Sequence, residues 1–195
     1  MWKIEYVTPI PKVTSPSSFN ELRNISCTTV FSKVLEHFIL TRAKNEVMPG
    51  PNQFGGLAGS STNHYLASVW NDIMEAIETG DQEAVNLISV DFAKAFNKLD
   101  HTACIKAFKN KGATNKTVNM IAAFLMNRSM CIRVGEEKST LREIKGGSPQ
   151  GTLLGNFLFI ITTDDLEKEI RSDILMKRVK CMTVPLQTTQ TWTGV

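Results

Sequence analysis

An α+β fold is predicted for this chain, on three observations. Residues 84–92 form an apolar, strand-type run that ends at Asp91 and Phe92. Apolar residues recur at helical spacing both before and after that run. Residues 130–134 and 141–145, joined by Gly135-Glu136-Glu137-Lys138, carry the signature of a β-hairpin.

Element by element, Pro9, Pro11 and Pro16 with the serines around them make the start extended and turn-rich, as suits a strand and a loop. Val30, Phe31, Val34, Leu35, Phe38 and Ile39 then predict one amphipathic helix, with Thr28 or Thr29 as its cap. Met48-Pro49-Gly50-Pro51-Asn52 breaks the chain, and 55–61 is a flexible loop. Leu66, Val69, Ile73 and Ile77 build a second helix that ends near Gly80. After the strand, helices are expected around Cys104, Ile105 and Phe108 and around Val118, Ile121, Phe124 and Leu125. Following the hairpin, 152–170 returns to helix. Beyond 180 the pattern has neither strand alternation nor helical period, so 1–180 is expected to be the domain and 181–195 an unrelated tail.

Composition narrows the function classes. At 195 residues the chain is long enough for one domain with a real core. A formal charge of +3 is too small for a general nucleic-acid coat, so binding of that kind must rest on local patches. Cys27, Cys104, Cys131 and Cys181 are scattered, with no Cys-x-x-Cys and no histidine at ligand spacing, which argues against zinc and for free thiols in a reducing compartment. The start lacks the apolar core of a signal peptide, and residues 153–161 are too short to cross a bilayer. The expected setting is intracellular, cytoplasm or nucleus, with no membrane partner.

The chemistry-bearing residues come in blocks. Asp91 ends its strand, where a carboxylate serves either as a turn or cap residue or as a rigidly held ligand for a divalent cation. Phe96 lies five positions on and reads equally as core packing. Asp100 and His101 most simply cap the following helix. Ser148, Pro149, Gln150 and Gly151 precede a helix, either as a plain turn or as a site where backbone amides and the Gln150 side chain meet a nucleic acid. Arg23 and Lys33 are either solvated surface charges or phosphate ligands.

Four of these blocks, in order, resemble the reverse transcriptases of non-LTR (LINE-type) retrotransposons. Val90-Asp91-Phe92-Ala93-Lys94-Ala95-Phe96-Asn97 with His101 resembles their first catalytic block. Phe19 to Leu40, with Arg23, Ile25 and Ser26, resembles the fingers block, and Gln53-Phe54-Gly55-Gly56 with Gly59-Ser60-Ser61-Thr62 the one after it. Gly146-Gly147-Ser148-Pro149-Gln150-Gly151-Thr152 resembles the template-gripping block. The likeness runs from about Val7 to about Leu166.

The resemblance implies the fingers and a partial palm of a right-hand polymerase, with its antiparallel palm sheet incomplete. It implies an RNA template, a DNA primer and dNTPs as partners, and two Mg²⁺ ions as cofactors. Asp91 and the carbonyl of Phe92 would hold metal, Phe96 would lie under the sugar, and Arg23, Lys33 and Gln150 would meet the nucleotide. Ser148, Pro149, Gln150 and Gly151 would grip the template.

Three departures qualify this. Asn97 stands where the family usually has aspartate, and Asn24 stands where it usually has proline. The family's second aspartate box is absent, and Asp164-Asp165 is too close to the template block to replace it; capping is the better reading there. The chain is therefore expected to be inactive as it stands, a polymerase fragment by ancestry, with a non-catalytic nucleic-acid-binding relic or a functionless fragment as the alternative. The codons of Lys180 to Thr183, read from each third base, yield Met or Val, His or Tyr, then Asp, which resembles a damaged aspartate box in a frameshifted tail.

Overall fold

The computed structural model describes residues 2–79, 84–87, 90–92, 95–149, 152–169, 174–179 and 182–189. In chain order the elements are β1 (Ile4–Pro11), β2 (Leu22–Cys27), α1 (Val30–Glu46), α2 (Thr62–Glu78), β3 (Ala84–Leu87), β4 (Val90–Asp91), α3 (His101–Asn110), α4 (Asn115–Leu125), β5 (Arg128–Val134), β6 (Glu137–Lys138), β7 (Arg142–Ile144), α5 (Leu153–Thr163), β8 (Ile174–Val179) and β9 (Met182–Thr189). Short 3₁₀ turns occupy Phe19–Glu21, Ala95–Lys98 and Asp164–Glu169. The fold is mixed α+β. It divides into two units, Met1–Met48 with Lys94–Thr162, and Pro49–Ala93 with Thr163–Val195.

The first unit holds a sheet in the order β2-β1-β5, with β6 and β7 both paired to β5. β1 is antiparallel to β2 but parallel to β5, a pairing that sets Ile4 beside Ser129. Helices α1, α3, α4 and α5 supply the core: Ile39, Leu40 and Ala43; Cys104, Ala107 and Phe108; Val118, Ile121, Phe124 and Leu125; and Leu154 with Phe157 to Ile161 are all buried. Phe108 meets Phe157 edge to face at 5.9 Å, the geometry aromatic quadrupoles favour. Thr29, Asp100 and Thr114 cap α1, α3 and α4 by accepting the N–H of Ser32, Ala103 and Thr117.

One expectation for this unit is corrected. Of the apolar stripe expected on α1, Ile39 is buried and Leu35 half-buried, but Val30, Phe31, Val34 and Phe38 are exposed. The face turned to the core is Ser32, Glu36, Ile39, Leu40 and Ala43. That face contains a carboxylate because Glu36 has a backbone partner in the interior, the N–H of Leu154 at 2.9 Å.

In the second unit α2 is capped by Ser61, which accepts the His64 N–H. Its sheet is antiparallel: β8 and β9 form a hairpin, and β9 pairs along its other edge with β3 and then β4. Within the predicted strand 84–92, the described segments Ala84–Leu87 and Val90–Asp91 pair with β9 in a single register. Met182–Thr189, which shows no alternation in sequence, is a strand whose register its neighbours set.

Asp164 is buried, and its carboxylate accepts the Gly50 N–H, 3.1 and 3.0 Å to its two oxygens, which fixes the Pro-Gly turn.

Candidate functional site

The segment around Phe96 and the loop at Ser148 are built as one piece. The Gly147 N–H donates to Leu99 O and the Ser148 N–H to Phe96 O, each at 2.8 Å. His101, the first residue of α3, brings Nε2 to 2.7 Å from Gly147 O. A carbonyl can only accept, so Nε2 carries the proton, and the ring fastens the loop from above the helix start. Nothing in the spacing of His101 announces this role; it was expected only to cap.

Gly147 has φ +86°, and a Cβ there would lie 2.8 Å from Asn97 O. The backbone approach itself therefore requires glycine.

Beyond the loop the first amides of α5 are taken. Leu154 N–H is held by Glu36, which is buried, and Gly155 N–H by Thr152 Oγ1 at 3.1 Å. A carboxylate from α1 satisfies the positive helix end that the sequence offered to a phosphate. Gln150 and Gly151 lie outside the described residues.

Phe96 is half-buried, and its ring sits 5.6 Å from that of Phe159, so packing accounts for it without a sugar. Arg23 and Lys33 are exposed, and their side chains make no hydrogen bond or ion pair among the described residues. On β2, Asn24 and Ser26 line a cavity, which puts Arg23 on the opposite face of the strand.

That cavity, about 170 Å³, has alternate residues of one sheet face as its floor: Asn24 and Ser26, Glu5 and Val7, Arg128 and Met130, and Ile144. Asn97 and Gly146 to Pro149 close it. Within its wall Arg128 and Glu5 form a buried ion pair, Nε to Oε1 at 2.7 Å. No local spacing signals the pair, whose members stand 123 positions apart.

In the second unit Asp91 ends β4 opposite Met182 of β9, with Val90 opposite Thr183. Phe92 follows, half-buried. Reverse transcriptases as a family use divalent metals. Here the strand beside Asp91 offers methionine and threonine, and no aspartate or glutamate occurs from Ile174 to Val195. Among the described residues no three metal-ligating side chains are grouped to hold an ion. Among the described residues β4 and Phe92 offer one carboxylate and one carbonyl, which do not make a donor set for two Mg²⁺ ions.

No helix among the described residues is long and apolar enough to cross a membrane.

Comparison with known proteins agrees with this architecture. The profile of the reverse transcriptase (RNA-dependent DNA polymerase) family matches residues 10–184. The probable RNA-directed DNA polymerase from transposon BS of Drosophila melanogaster is 29% identical over 85% of this chain and 18% of its own length. The Pol polyprotein from the type-1 retrotransposable element R2 of Popillia japonica is 26% identical over 88% of the chain and 24% of its own. The chain thus spans about a fifth of the curated relatives it matches. Among solved structures, apo telomerase from Candida tropicalis, truncated from its C-terminal domain, superposes with a TM-score of 0.66 at 11% identity, over 97% of this chain and 44% of that one. By the profile match across most of its length, the chain belongs to the reverse transcriptase (RNA-dependent DNA polymerase) family, with relatives in non-LTR retrotransposons.

Proposed function

We propose that this chain is the fingers and palm portion of an RNA-directed DNA polymerase that holds an RNA template and, by itself, does not join nucleotides. The observation that carries the reading is the β4–β9 register, with Met182 set against Asp91 where a second carboxylate would have to stand. Two-metal nucleotidyl transfer relies on carboxylates to fix both ions, and each ~1.4 kcal/mol of lost stabilisation lowers the rate tenfold.

Asp91 and the Phe92 carbonyl are the donors that remain. Ser148, Pro149, Gln150 and Gly151 are the residues assigned to the template. Arg23, Lys33, Phe96 and Gln150 are assigned to the nucleotide. The loop clamped by Phe96, Leu99 and His101 supports the template role, because a rigid loop loses little entropy on binding.

Two assays on the full chain test this. Fluorescence anisotropy with a single-stranded RNA should show binding that weakens as salt rises. Primer extension with Mg²⁺, dNTPs and an RNA template should show no product above a no-protein control. Extension at a measurable rate would overturn the non-catalytic half of the reading, and absence of RNA binding the other half.

A further inference from the structure

The cavity beneath the Gly146 to Pro149 loop contains a group that the fold leaves unused. Arg128 is 1% exposed, and its guanidinium gives Nε to Glu5 and Nη1 to Phe124 O at 3.4 Å, with Phe124's ring 4.9 Å from its centre. Its Nη2 is buried without a hydrogen-bond partner. An unpaired donor on a buried cation is costly, and such groups in native folds usually await a ligand or a water. Glu5, 3% exposed, uses Oε1 for Arg128, and its Oε2 has no hydrogen bond among the described residues. The residues that carry this donor and this acceptor both line the recess.

The chemistry of the pair selects the ligand. A phosphate would face the Glu5 carboxylate and a cation already neutralised by it, so an anion is disfavoured. A volume of about 170 Å³ is too small for a nucleoside triphosphate and suits one flat ring system. Val7, Met130, Ile144 and Pro149 give that ring apolar surfaces. Of the nucleobases, guanine alone offers two adjacent N–H groups, N1 and N2, to a carboxylate, next to an O6 that accepts from arginine.

We infer that this cavity is a recess for a single unpaired guanine of an RNA strand, read by the buried Glu5–Arg128 pair. The inference rests on the RNA-binding reading above, and narrows it to a base preference at one position.

The test uses the full chain and 12-nucleotide oligouridine probes carrying guanine, hypoxanthine or adenine at one central position. Guanine should tighten binding about tenfold over the all-uridine probe, and hypoxanthine, which lacks the N2 amine, should fall between. Ser26→Phe, placing a ring in the recess without touching the ion pair, should bind all-uridine RNA like the unchanged protein and lose the guanine preference. Equal affinity of the unchanged protein for all four probes overturns the inference while RNA binding stands. A guanine preference that survives in folded Ser26→Phe overturns it too. Absence of binding to every probe overturns both readings together. Should Ser26→Phe fail to fold, the ranking by the unchanged protein decides alone.

Discussion

Gly147 and Cys104 show how single positions hold the first unit together. Replacing Gly147 by alanine forces a side chain into a left-handed backbone and within 2.8 Å of the Asn97 carbonyl, with Phe96 O at 3.0 Å. Both obstacles are backbone, so neither can swing away. Gly147→Ala should lower stability by about 2 kcal/mol or more in urea titration, and weaken RNA binding beyond that by releasing the loop. Cys104 is wholly buried, and burial above all, with the nearby charge of Asp100, pushes its thiol up to about 11. Between pH 9 and 11 the unfolded chain sheds this proton and the folded one keeps it, so stability falls as pH rises through that window, by up to about 3 kcal/mol. Cys104→Ala should flatten that part of the pH profile, measured as urea midpoints from pH 8 to 10.5. The glycine pair and the histidine were legible as a motif, but their mutual bonds were not. A hydrogen bond from His101 to a residue 46 positions away leaves no mark on local spacing.

Among the elements, α1 shows where sequence periodicity misleads and why. Val30, Phe31, Val34 and Phe38 repeat as a core face should, yet they lie outside, and the face turned inward carries Glu36, which accepts the N–H of Leu154 in α5. Satisfying a buried N–H with a charged acceptor is worth about 1.5–3 kcal/mol. Glu36→Ala should therefore cost about 2–3 kcal/mol in thermal or urea unfolding, and Glu36→Gln, which retains an acceptor, clearly less. The helices α2, α3 and α4 were legible to within a few residues, and the stripes of α3 and α4 agree with their burial, whereas on α2 Val69 is buried but Leu66 and Ile77 are exposed. Strand β9 was not legible, because threonine, proline and glutamine carry no alternation and its position comes from β3, β4 and β8.

For the molecule as a whole, the family was legible from four short blocks in order, whereas the guanine-sized recess was not, because it is made from strands distant in sequence. The second unit relies on its last strand. A chain ending at residue 173 would leave β3 and β4 with unpaired ladder groups, the situation that invites edge-to-edge association. Such a truncation should yield mostly aggregated protein on expression, measured as the soluble fraction against the full chain. Equal solubility would show that β9 contributes little.

The parallel pairing of β1 with β5 also has a temporal side. Glu5 must wait for Arg128, made 123 residues later, and a ribosome adding about 5–20 residues per second needs roughly 6–25 s to supply it. Throughout that interval the β1–β2 hairpin is a nascent edge with a carboxylate and no cation. Synthesis speed and chaperone access, more than equilibrium stability, then govern how much of this chain reaches its native state.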